Sequence, residues 1–112
     1  MKRIFKYELK VTYEQSIAMY ITAKILTVQV QHGKPCVWAE VSDQLPKVAH
    51  RAPYIDEVTG LPAPPELVTF RTFYTFATGQ PLPEEFDQLH YVGTYQLHDG
   101  SFVGHVYVDR IQ

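Results

Sequence analysis

One cysteine stands in a chain of 112 residues, at position 36, so no internal disulfide staples the fold and a reducing cytoplasm is the expected compartment. No run approaches the ~18 apolar residues that a membrane-spanning helix needs. The opening Met1-Lys-Arg-Ile-Phe-Lys6 lacks the long apolar core of a secretory leader and passes straight into a strand pattern. Charge of either sign is in short supply. Ten basic residues against twelve acidic ones leave a formal charge of -2, with no basic field to gather nucleic acid non-specifically.

Catalytic signatures are also missing. There is no Gly-x-Ser-x-Gly elbow and no Gly-x-x-x-x-Gly-Lys phosphate loop. Ser16, Ser42 and Ser101 fall in ordinary turn or strand-edge contexts. His32, His50, His90, His98 and His105 show no metal-ligand spacing, and a structural zinc site takes about four such ligands. Cys36 lies in an apolar strand, where a thiol behaves as a small hydrophobe. The acidic pairs Asp56/Glu57 and Glu84/Glu85 are adjacent residues in loop-like sequence, which suits a solvated surface. These absences predict no metal, no cofactor and no catalytic residue.

What the chain has is aromatic and β-branched residues in alternation. Hydrophobic residues make up 46%, and eight tyrosines and six phenylalanines suit the faces of β-sheets. Tyr91 to Leu97 and Ser101 to Val108 flank His98-Asp99-Gly100, and an Asp-Gly between two such runs is a strong hairpin signal. Lys24 to Gln31 and Pro35 to Val41 form a second hairpin across His32-Gly33-Lys34. Pro35 has no N–H for a ladder, so it belongs at a strand start or facing outward. Arg3 to Val11 alternates as a half-buried strand, and Gln15 to Tyr20 reads as a short second strand or an irregular segment. Leu67 to Phe76 is a further strand, with Val68, Phe70, Thr72, Tyr74 and Phe76 on one face. Pro83-Glu84-Glu85-Phe86 opens a short helix. Ser42 to Glu66 shows neither period and holds five of the eight prolines, so it reads as an inserted loop or extended arm. The pattern predicts one all-β domain over 1–112, mainly antiparallel, a small meander, sandwich or barrel-like sheet of about five to seven strands.

Function is then expected to be binding. Trp38, Arg71, Phe73, Gln29 and Gln96 alternate away from the most apolar strand faces, and aromatic and arginine side chains on a polar sheet face favour interfaces. His105 and Tyr107 sit mid-strand with the same alternation. The candidate binding residues are therefore Trp38, Arg71, Phe73, Gln96, His105 and Tyr107; the competing reading is a second small core beneath the proline-rich arm. Apolar edges on so short a chain also predict a symmetric homo-oligomer.

Three stretches resemble a family of small proteins from tailed bacteriophages and prophages that carries a domain of unknown function. Met1-Lys-Arg-Ile-Phe-Lys-Tyr-Glu-Leu9 is similar to its opening strand, and Lys24 to Val41 to its first hairpin. Gly79-Gln-Pro-Leu-Pro83, Tyr91-Val-Gly-Thr94 and Gly104-His-Val-Tyr107 are similar to its closing portion. Met19-Tyr-Ile-Thr-Ala23 stands in place of a Met-Pro-x-Gly-Ala turn, Ala77-Thr-Gly-Gln80 in place of Gly-Thr-Gly-His, and the 42–66 arm exceeds the usual short link. The resemblance implies a phage origin and carries over no catalytic residue. Taken with the compact β pattern and a polar-aromatic face without catalytic groups, it points to a non-enzymatic accessory protein of the infected cell's cytoplasm. Such a protein would bind a host defence component, with a host protein as partner, or sequester a small, nucleotide-like signalling molecule in a pocket between subunits. The alternative is a virion assembly protein reaching a neighbour through the 42–66 arm.

Overall fold

The computed structural model describes residues 2–42, 54–55, 62–63 and 68–110. Among the described residues nine strands form: β1 (Lys2–Glu8), β2 (Glu14–Tyr20), β3 (Lys24–Gln31), β4 (Lys34–Ser42), β5 (Tyr54–Ile55), β6 (Pro62–Ala63), β7 (Val68–Ala77), β8 (Leu89–Leu97) and β9 (Phe102–Asp109). They build two antiparallel sheets, β1-β4-β3 and β2-β7-β9-β8, with β5 and β6 as a separate two-residue pair. The expected all-β class holds, in the form of a sandwich not closed into a barrel. Among the described residues no helix is long and apolar enough to cross a membrane. Within the 42–66 arm, where the sequence shows neither period, β5 and β6 pair antiparallel; the extended polyproline reading of the other arm positions lies outside the described residues.

Alternation decides what each strand buries. In β1 and β4, Tyr7, Val37, Ala39 and Val41 point inward and are buried together with Leu9 and with Val28 of β3. They meet Met19 of β2, Phe73 of β7, Tyr95 and Leu97 of β8, and Val106 and Val108 of β9. Each large apolar side chain removed from water in this layer contributes about 1.5–3 kcal/mol. Gln15 to Tyr20 is resolved as a full strand, in register with β7 from Glu14↔Tyr74 to Tyr20↔Val68.

The hairpins form where the sequence places them, with tighter geometry at the first. Gln31 pairs with Lys34, so the β3–β4 loop has two residues, not three. His32 (φ 53°) and Gly33 (φ 77°) both take the left-handed region that a twist-matched two-residue turn requires. Pro35 is the second residue of β4; it is buried instead of facing outward, and its carbonyl accepts from the Leu9 N–H at 2.8 Å. At the other hairpin His98 (φ 52°), Asp99 (φ 56°) and Gly100 (φ 90°) turn the chain in a 3-10 segment. Pro83 sits just before a 3-10 turn over Glu84–Gln88 instead of opening an α-helix.

The orientation of β7 reverses the expectation from sequence. Arg71, Phe73 and Thr75 face the sandwich interior and are buried, while Phe70, Thr72 and Tyr74 lie on the outside. An outward aromatic stripe is tolerated because Tyr13 and Phe86 cover Phe76 from either side, with ring centroids at 5.5 and 6.5 Å. An inward arginine is tolerated because β9 ends in its counter-charge. The Arg71 Nε–H donates to Asp109 Oδ1 at 2.9 Å and Nη2–H donates to the Asp109 carbonyl at 2.8 Å.

Candidate functional site

The outer face of the four-stranded sheet takes alternate residues from four strands. Register fixes them: Glu14, Ser16 and Ala18 from β2 lie opposite Tyr74, Thr72 and Phe70 of β7. Tyr74 and Phe76 lie opposite Tyr107 and His105 of β9. His105 in turn lies opposite Thr94 of β8, Tyr107 opposite Tyr91, and Val103 opposite Gln96. A bulge between Tyr91 and Gly93 keeps both Tyr91 and Thr94 on this side of the sheet.

His105 is held at both ring nitrogens by hydroxyls. Its Nε2 is 2.8 Å from Thr78 Oγ1 and its Nδ1 is 3.0 Å from Thr94 Oγ1, which is 2.5 Å from the Tyr91 phenol. Every member of this chain can donate and accept, so the neutral imidazole is satisfied in either tautomer. The outermost group, the Tyr91 hydroxyl, then offers an acceptor or a donor to whatever meets the face. None of the hydrogen bonds among described residues links His105 to a carboxylate. His90 pairs with the inward-facing Val108 and lies on the opposite side of the sheet, so the two histidines do not form a pair.

Around this polar line lies a continuous aromatic surface. Tyr107 packs on Phe86 at 4.7 Å, on Tyr91 at 5.2 Å and on Phe76 at 5.7 Å between ring centroids. Tyr74 stacks on Phe76 at 6.5 Å. Phe70 keeps 67% and Tyr91 58% of its surface exposed, so large apolar area is presented to solvent. The border is acidic, with Glu14 at one side and Glu84, Glu85 and Asp87 in the turn that carries Phe86. No lysine or arginine occupies the face positions of β2, β7, β8 or β9. Burial, and then the charges of Glu14 and Asp109, push the Tyr74 phenol up from its ordinary range.

The residues expected from sequence divide accordingly. His105, Tyr107 and Gln96 share the outer face. Phe73 is 0% exposed and belongs to the core, so it cannot meet a partner. Arg71 is 6% exposed, anchored by Asp109 on the inner side of the same sheet. Trp38 is on the outer side of the three-stranded sheet, with Lys6 Nζ 5.9 Å from its ring, and Gln29 is on that sheet too. Single-strand alternation grouped these residues correctly within each strand and could not say which sheet or side each strand occupied. Tyr91, Thr94, Thr78 and Phe70 were missed, although the hairpin register alone sets Thr94 opposite His105. Cys36 is buried, and burial pushes its thiol up, in keeping with its reading as a small hydrophobe. Among the described residues no cluster of three or more His, Cys, Asp or Glu side chains could hold a metal ion.

No curated protein and no solved structure matches this chain. A family match does cover it, in two overlapping segments, residues 1–66 and 57–112. With opening strand, both hairpins and the aromatic face all inside those segments, the chain belongs to the family described as Domain of unknown function (DUF7352).

Proposed function

We propose that this chain is a non-enzymatic accessory protein of a tailed bacteriophage, acting in the host cytoplasm by binding a host defence protein. The contact surface is the outer face of β2-β7-β9-β8. One observation carries the reading: exposed Tyr91 ends a satisfied Thr78–His105–Thr94–Tyr91 hydrogen-bond chain beside the Tyr74–Phe76–Tyr107–Phe86 aromatic cluster, with exposed Phe70 further along β7 on the same face and an acidic border. Aromatic anchors beside directional polar groups are the composition of protein interfaces, and the acidic border selects a partner with a basic surface. The phage origin is supported by the resemblance of the opening strand and the two hairpins.

The test compares capture of host proteins by the wild-type chain, by a face variant (Phe70→Ala, Tyr91→Ala, Glu14→Lys) and by a control on the other sheet (Trp38→Ala). The expected result is one host protein held stoichiometrically by wild type and control, released by raised salt, and lost with the face variant. Equal retention by all three chains, with circular dichroism unchanged, would overturn the assignment.

A further inference from the structure

Between β3 and β8, at one end of the sandwich, a cleft of about 400 Å³ opens between the two sheets. Its volume lies within the ~300–1,000 Å³ range of small-molecule sites. Ile25 of β3 and Val92 and Val108 from the other sheet give it an apolar wall, His90 stands at its rim, and Arg71 lines it from within. The Arg71 side chain is 7% exposed. Asp109 takes its Nε–H and one Nη2–H, and among the described residues nothing accepts from Nη1. A guanidinium held on one edge and, among the described residues, unmatched at Nη1 is oriented in advance for an oxyanion.

We propose that this cleft binds a small organic anion, its carboxylate or phosphate head against the Nη1 edge of Arg71 and its apolar body against Ile25, Val92 and Val108. The cleft opens on the inner side of the sheet whose outer side is proposed to dock the partner; Tyr91 lines both, while Arg71, Ile25, Val92 and Val108 belong to the cleft alone, so the inference does not require that reading. Asp109 fixes the guanidinium and partly neutralises it, which favours a directional two-point hydrogen bond over bare charge attraction.

Nuclear magnetic resonance of the full chain tests this with three probes: benzoate, phenyl phosphate and uncharged benzyl alcohol. The expected result is a saturable shift of the Arg71 Nε–H signal and of the amides of residues 23–26 and 90–92 with one or both anions, and none with the alcohol. Benzoate alone would identify a carboxylate ligand, phenyl phosphate alone a phosphate. Arg71→Lys should weaken binding by about tenfold or more, the share of a charged hydrogen bond. Should Arg71→Lys fail to fold, Val92→Phe, which fills the cleft and leaves the guanidinium in place, should abolish the shifts. No saturable shift with either anion, equal binding of benzyl alcohol, or unchanged binding in Val92→Phe would overturn the proposal.

Discussion

Gly93 of β8 lies directly against Val28 of β3: a β-carbon at position 93 would sit 2.8 Å from Val28 Cγ1. The edges of the two sheets approach there because one residue carries no side chain. Gly93→Ala should therefore cost about 1–3 kcal/mol by overpacking. Val28→Ala removes the obstructing methyl groups, so the double variant should be more stable than the two single losses predict when added. Urea denaturation of the four chains gives the coupling. Strict additivity would mean that the sheets shift apart freely at this edge.

Asp109 and Arg71 join the end of β9 to the interior of β7. Asp109→Ala leaves a guanidinium buried without its carboxylate and should cost about 2–3 kcal/mol, below the figure for a fully buried pair because Asp109 keeps part of its surface in water. Replacing both partners by apolar residues, Arg71→Met with Asp109→Leu, should recover most of that loss. Thermal unfolding of the single and double variants distinguishes a lost partner from a lost strand end.

The Tyr95 phenol is buried, and neither it nor the buried Thr75 hydroxyl beside it meets hydrogen-bond geometry. Burial pushes Tyr95 up from its ordinary value of 10.0, with Thr75 pulling back in part. Because the folded value exceeds the unfolded one, the contribution is complete below pH ~10 and declines as pH rises from there through the folded value. Tyr95→Phe should leave neutral-pH stability within about 1 kcal/mol of wild type. It should also make the loss of stability above pH ~10 shallower. An identical alkaline profile in the variant would assign that loss to other groups.

His32 carries a side chain at a left-handed position of a two-residue turn. Asparagine tolerates this conformation better and valine much worse. His32→Asn should stabilise by a few tenths of a kcal/mol and His32→Val should destabilise by about 1–2 kcal/mol. Chemical denaturation midpoints at constant slope would report both.

The strands and hairpins were legible because period-two alternation and Asp-Gly or His-Gly turns are local signals. Facing was not. In Val68–Ala77 both sides carry bulky groups, and Arg71 reads as an outward residue until Asp109, 38 positions away, is known to meet it. Of the Thr78–His105–Thr94–Tyr91 chain, the Thr94–His105 half follows from counting back through the terminal hairpin. The Thr78 half depends on β7 pairing with β9, a contact between strands distant in sequence that no local pattern encodes.

The central claim is that the outer face of the four-stranded sheet meets a host protein. A photo-crosslinking amino acid placed at position 91 in infected cells tests it, with position 4 as the control. Tyr91 and Ile4 are both well exposed and lie on the outer sides of opposite sheets. A covalent adduct of one defined mass from position 91, absent from position 4, is the predicted result. Adducts from position 4 with none from position 91 would contradict it.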